Sequence, residues 1–314
     1  MTMHPTITLV SPADGILLRG YEWQPAQQPR AVVVIAHGMA EHAARYHRFA
    51  AALAAAGQAV YAFDHRGHGH TAPSVSELGH MADRDGWNRA VADLAGICEM
   101  ARQRHPRVPL LLFGHSMGSF MAQQFLYQHG AMLAGCVLCA SNGKPPKIAA
   151  LGRLIARLER LRVGRRGISM LIHAMSFGAF NKRFAPARTE FDWLSRDPAE
   201  VDKYIADPFC GFPMTVQSWI DLLDALEAMA RPKNQARIPK TLPVFVIAGR
   251  HDPVSVGGRG LQQLLAAYRA AGLTRVESKF YPEARHELLN EINRDEVTAD
   301  IIAFFESCLS ALRG

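Results

Sequence analysis

Cysteine is scarce in this chain: five residues in 314, an odd number spread widely. That excludes a disulfide-stapled scaffold and fits a reducing compartment. The chain also lacks any unbroken apolar stretch of the roughly 20 residues that a membrane-spanning helix needs. Its first residues, MTMHPTITLVSPADG, hold neither a basic n-region nor a continuous apolar core, so no secretory leader is read there. A soluble, cytoplasmic protein is the expectation.

Acidic residues are what one region lacks most. Lys144 to Arg188 holds eleven Lys or Arg against a single acid, Glu159, a local +10 that leaves −3 for the rest of a chain whose total is +7. A nucleic-acid binder would not confine its positive charge this way; the pattern marks one basic lobe on a mildly acidic body. With 49% hydrophobic and 20% charged residues, the chain can bury a sizeable core.

Extended and helical segments alternate along most of the chain. ITLV at Ile7 and ILLRGYEW at Ile16 read as an opening antiparallel hairpin. AVVVIAHG at Ala31 is a short, continuously apolar strand, the kind that is covered on both faces. The alanine-rich RFAAALAAAG follows as a helix stopped by Gly57, then the strand AVYAFD, a helix from Asp85 to Arg104, the strand PLLLFG, a helix after Ser116, and the strand GCVLCAS. The same alternation resumes at PVFVIAG and runs through RVESKFY to a final helix in DIIAFFESCL. This is the signature of a mostly parallel, doubly wound α/β sheet. Asn142 to Lys240 interrupts it with helical patterns of its own, too long for a structureless loop. The expected organisation is a core of residues 1–141 and 241–314 with a helical cap (lid) insertion at 142–240.

Function in such sheets gathers at the carboxyl ends of the strands. Those ends carry His37-Gly38-Met39, Asp64, Gly114-His115-Ser116, Ser141-Asn142, Asp252 and His286. G-x-S-x-G alone is a modest signal, but here it falls where a strand turns into a helix. A serine on that turn has a strained backbone, and flanking glycines remove the Cβ atoms that would collide with the adjacent strand and helix. The hydroxyl is thereby exposed as a nucleophile. It also needs a base, and the base an orienting acid. His286 follows the last strand, and Asp252 follows PVFVIAG; Asp64 is a distant second because it breaks the Ser, Asp, His chain order of this fold. The Met117 N–H at the helix N-terminus and the Met39 N–H beside Gly38 are the expected oxyanion donors.

HGMAEHAARY, FDHRGHGHT, GHSMG, AGRHDPVS and YPEARHELLNE together resemble the monoacylglycerol lipase and lysophospholipase group of the α/β-hydrolases, S33 serine aminopeptidase-like enzymes, over nearly all of the chain outside 142–240. The resemblance implies an α/β-hydrolase fold, a triad at Ser116, Asp252 and His286, an oxyanion hole at Met39 and Met117, and no cofactor or metal. It further implies a single-chain lipid ester as substrate, hydrolysed through an acyl-enzyme. Alternatives on the same scaffold are a small-ester carboxylesterase, a thioesterase, a peptidase, or a catalytically silent binding protein.

Other residues carry plainer expectations. Cys136 and Cys139 look like half a zinc motif, yet residues three apart in a strand point to opposite faces, so they read as buried small hydrophobes. His65, His68 and His70 lack acid or cysteine partners at ligand spacing, so no metal cluster is expected there, and the resemblance implies a structural loop. His37 and His42 are expected to shape the oxyanion loop, His115 and His251 to be neighbours of the site, and Arg66 with Asp64 to form an ion pair or network. In IAALGRLIARLERLR, Leu151, Leu154, Ile155, Leu158 and Leu161 share one helical stripe. Packing within the cap is its first reading, with peripheral membrane contact through this basic helix the second. Met170, Met175, Phe177, Phe180, Phe184, Met214 and Trp219 are candidates to line an acyl tunnel or to fill the cap core.

Overall fold

The computed structural model describes residues 4–145, 148–255 and 258–312. Strands β1 (Ile7–Val10) and β2 (Leu17–Trp23) pair antiparallel, with Leu9 opposite Leu18. After them come β3 (Ala31–Ala36), α1 (His47–Ala55), β4 (Gln58–Phe63), α2 (Gly86–Arg104), β5 (Leu110–His115), α3 (Met117–His129) and β6 (Gly135–Cys139). Six helices then follow without a strand among the described residues: α4 (Ile148–Val163), α5 (Met170–Met175), α6 (Phe177–Phe180), α7 (Pro198–Ala206), α8 (Val216–Met229) and α9 (Pro232–Gln235). The chain closes with β7 (Val244–Gly249), α10 (Arg259–Ala270), β8 (Val276–Tyr281) and α11 (Arg294–Ser310).

All eight strands join one sheet in the order β1-β2-β4-β3-β5-β6-β7-β8. β2 meets β4 antiparallel, and every pairing from β4 to β8 is parallel. The five inner strands, β3 to β7, are buried at every residue. That requires cover on both faces, and alternate residues supply it. Val32 and Val34 pack on one side with Trp87 and Leu94 of α2, Met121 and Phe125 of α3, and Leu261 of α10. Val33 and Ile35 pack on the other with Phe49 of α1 and Phe305 of α11. Truncating one of these rings, for example Phe125→Ala, is expected to cost about 3–5 kcal/mol. Cys136 and Cys139 obey the same alternation, the first in one layer and the second in the opposite one, both fully buried.

Between β6 and β7 the outcome differs from the first expectation for α4. Its leucine stripe faces outward: Leu151, Leu154, Leu158 and Leu161 are 51%, 54%, 57% and 81% exposed. The face turned to α8 is the polar one. Arg153 bonds Asp224 and Glu227, Arg160 reaches Gln217, and Ala156 is the buried apolar contact. Acids on α8 select the arginine face, and periodicity within α4 alone cannot show where those acids stand.

Candidate active site

β5 delivers the chain into α3 through a single residue, Ser116, whose backbone sits at φ 49° and ψ −117°. A left-handed φ is costly for a non-glycine residue and persists only where its surroundings enforce it. The neighbouring glycines make those surroundings possible. A Cβ on Gly114 would stand 2.5 Å from the Gly118 carbonyl oxygen, and a Cβ on Gly118 would stand 2.1 Å from the Ala36 carbonyl oxygen. Both contacts are with backbone that has nowhere to go. Helix α3 can therefore press against β3 and β5 while the serine projects above the sheet, its own N–H bonded to the Cys139 carbonyl at 2.9 Å.

The loops after β7 and β8 bring two more groups to this hydroxyl. His286 Nε2 lies 2.9 Å from Ser116 Oγ, and His286 Nδ1 lies 2.9 Å from Asp252 Oδ1. An ionised Asp252 can only accept, so Nδ1 carries the proton and Nε2 is left to accept from the serine. Trp193 and His115 flank the His286 ring, each with its centroid 4.9 Å away. Burial works against an imidazolium here. The Asp252 carboxylate, with Glu287 and Glu41 beyond it, outweighs burial and holds the His286 pKa above its ordinary value. His115 is driven the other way, to about 3, by burial and by His286 itself, and stays neutral.

Met117 opens α3, where first-turn N–H groups have no intrahelical partner. Met39 lies in the loop after β3, and both methionines line the same cavity as Ser116. Gly38 packs against a side chain of its own loop. The place of its missing Cβ lies 2.6 Å from Glu41 Oε1, and that oxygen accepts the Gly38 N–H at 2.6 Å and the Tyr46 hydroxyl at 2.8 Å. Glu41 also takes Arg45 Nη1 at 2.6 Å, and Arg45 grips both oxygens of Glu287 at 2.6 and 2.7 Å. The buried network Glu41–Arg45–Glu287 thus joins the loop of Met39 to the residue after His286. Sequence reasoning missed it, although all three residues stand within the quoted motifs.

The remaining polar residues fall mostly into supporting places. His37 accepts the His65 N–H at 2.9 Å and meets the Gly38 carbonyl at 2.7 Å, and burial lowers the pKa values of His37, His65 and His68. His251 is exposed. Of the expected ion pair or network, Asp64 and Arg66 take the network: they do not pair with each other, and each has partners of its own. Asp64 accepts the Ala43 and His70 N–H groups, each at 2.8 Å, while Arg66 is shared by Asp14 and Asp93. Asp64 is taken up by backbone N–H donors, and Arg66 by two carboxylates, so neither is left to pair with the other.

A cavity of about 290 Å³ opens above Ser116. Met39, Phe120 and Val254 line it from the sheet side, and Phe180, Trp193, Leu194, Trp219, Leu222 and Leu226 from the segment between β6 and β7. Of the residues expected around a tunnel, Phe180 and Trp219 are there. Met214 is buried in the main core, Phe184 packs beside the Trp193 cluster, and Met170 and Met175 are exposed. The Phe177 side chain lies outside the described ones.

The chain is similar to known hydrolases over nearly its whole length. A monoacylglycerol lipase of Mycolicibacterium smegmatis is 31% identical over 91% of this chain and 92% of its own. A mouse monoglyceride lipase is 28% identical over 95% of this chain and 88% of its own. Among solved structures, a carboxyl esterase from Bacillus coagulans, in complex with glycerol, superposes with a TM-score of 0.89 at 29% identity, covering 98% of this chain and all of that one. The serine aminopeptidase S33 family model matches residues 27–293. The sheet, the elbow after β5 and these similarities lead to one placement: the chain belongs to the serine aminopeptidase S33 family of α/β-hydrolases.

Proposed function

We propose that the protein is a serine hydrolase that cleaves carboxylic esters of single-chain lipids, of the monoacylglycerol lipase or lysophospholipase type. The observation that carries this reading is the Ser116–His286–Asp252 relay at the floor of an apolar cavity. Ser116 Oγ attacks the ester carbonyl carbon as its proton passes to His286 Nε2. Negative charge developing on the carbonyl oxygen is met by the Met39 and Met117 N–H groups, which need no reorganisation to receive it. Collapse of the tetrahedral species breaks the ester C–O bond, and the departing alcohol takes the proton back from Nε2. Water, activated by the same imidazole, then releases the fatty acid from Ser116.

Residues 142–240 act as the cap in this reading. Six of their apolar side chains wall the cavity, which lies near the low end of the ~300–1,000 Å³ common for small-molecule sites. The outer face supports a second role. The leucines of α4, with Met170 and Leu171 at 68% and 51% exposed, present apolar side chains to solvent within the basic lobe. Apolar insertion beside positive charge suits an anionic lipid surface, so the cap docks the enzyme peripherally where its substrate resides. No described helix is long and apolar enough to cross a membrane.

A panel of p-nitrophenyl esters of increasing chain length, with monoacylglycerol and lysophospholipid beside it, tests the reading. Turnover should rise to a medium or long acyl optimum and vanish in Ser116→Ala. Best activity on acetate or butyrate would favour a small-ester carboxylesterase, and no turnover of any ester would favour a binding protein.

A further inference from the structure

A second cluster of reactive side chains sits beside the oxyanion loop and takes no part in the chemistry above. His42 ends that loop, while Asp207 and Cys210 lie in the turn after α7. One donor atom from each, the imidazole nitrogen, a carboxylate oxygen and the thiol sulfur, lie within 4.8 Å of one another. His42 Nε2 and Asp207 Oδ2 are already 2.9 Å apart, and Asp207 Oδ1 is oriented by the Phe209 N–H at 2.9 Å. The His42 side chain is 8% exposed and Asp207 30%, so the cluster is sheltered yet open to entry from solvent.

We propose that His42, Asp207 and Cys210 form a site for a thiophilic divalent cation of the zinc class, and that its occupation slows turnover by displacing the oxyanion loop. The donor set is the argument for the metal. One imidazole, one carboxylate and one sulfur suit borderline-soft ions and leave a fourth, tetrahedral position for water. Calcium or magnesium would ask for oxygen throughout. Binding deprotonates the thiol, its proton leaving to solvent, and gives an ion bound by two anions and a neutral ring.

The coupling follows from distances. Ligands about 2.0–2.3 Å from a tetrahedral zinc stand roughly 3.3–3.8 Å from each other. The His42–Asp207 contact of 2.9 Å must therefore widen. His42 is three residues from Met39. The intervening Ala40 is held at φ 54°, its carbonyl accepting the Tyr204 hydroxyl at 2.9 Å and the Gly211 N–H at 3.0 Å. The turn that supplies two ligands is thus also the clamp on the loop. A shift of a few tenths of an ångström there moves the Met39 N–H, and an oxyanion donor is worth about 10²–10³ in rate when lost.

Cobalt(II) reads the site without reference to activity. Titrated into the reduced, metal-free full chain, it should produce a sulfur-to-cobalt charge-transfer band in the near ultraviolet, saturating at one equivalent and bleached by zinc. Cys210→Ser should lose the band, keep its ester turnover within twofold, and become insensitive to zinc, which should lower kcat of the wild type tenfold or more with KM little changed. X-ray absorption of the zinc-loaded wild type should show one sulfur ligand, which keeps the test open should the variant fold poorly. No band at tenfold excess cobalt, a band that survives in Cys210→Ser, or no sulfur around zinc would overturn the site. Zinc inhibition persisting in Cys210→Ser would overturn the coupling. The inhibitory half rests on ester hydrolysis as proposed, and the two fail separately: a cobalt band in a protein that turns over no ester leaves the site standing and removes the function.

Discussion

Arg45 and Glu287, the residue after His286, form a two-pronged ion pair, Nη1 to Oε1 at 2.6 Å and Nη2 to Oε2 at 2.7 Å. Arg45 also bonds Glu41, so two buried carboxylates share one guanidinium. Burial opposes charge on Glu287, but Arg45 overrides it and brings its pKa down to about 2, whereas burial leaves Glu41 raised. Glu287 and Glu41 add to Asp252 in favouring the protonated form of His286.

The pH dependence of catalysis follows. His286 must be neutral at Nε2 to accept the serine proton, and its pKa lies above the ordinary 6.5. Turnover should therefore fall on the acidic side with a midpoint above that value. Glu287→Gln removes a negative charge, disfavours the imidazolium, and should move this midpoint to lower pH. Initial rates of a soluble ester from pH 5 to 9 check both statements. A flat profile through mildly acidic pH would count against His286 as base.

Gly118→Ala should be far more damaging than its single added carbon suggests. The new Cβ would meet the Ala36 and His37 carbonyl oxygens at 2.1 and 2.5 Å, and neither strand β3 nor helix α3 can yield without moving Ser116. A loss of about 3 kcal/mol or more in denaturant unfolding, with activity down at least a hundredfold, is expected. Gly152→Ala in α4 is the control. Nothing lies within 4 Å of its would-be Cβ, and helix propensity should make it neutral or stabilising by up to ~1 kcal/mol.

The outward leucines of α4 offer a separation of surface from site. Leu154→Glu with Leu158→Glu alters positions that are 54% and 57% exposed, so the melting temperature should change little. Hydrolysis of monoacylglycerol carried in anionic vesicles should drop at least tenfold, while turnover of a soluble ester stays within twofold. Equal losses on both substrates would remove the docking role.

Much of this architecture was legible because a parallel sheet writes itself plainly. AVVVIA, LLLFGH and VFVIAG are apolar without a break, and a strand covered on both faces allows little else. Strand ends then mark where chemistry can gather, which singles out Asp252 and His286, whose side chains lie 2.9 Å apart in the structure. The segment from 142 to 240 was less readable. Its helices carry apolar residues on more than one side, and which side turns inward is decided by partners distant in the chain, as Asp224 and Glu227 decide it for Arg153. The Glu41–Arg45–Glu287 network was hidden for the same reason: Glu287 lies 242 positions from Arg45, and no local pattern links them.

The most direct measurement is the site of covalent capture. Incubated with a fluorophosphonate and digested, the protein should yield one modified peptide, with the phosphonyl group on Ser116 Oγ and labelling abolished in Ser116→Ala and strongly slowed in His286→Ala. An adduct on a different residue, or ester turnover that continues undiminished in Ser116→Ala, would contradict the serine mechanism outright.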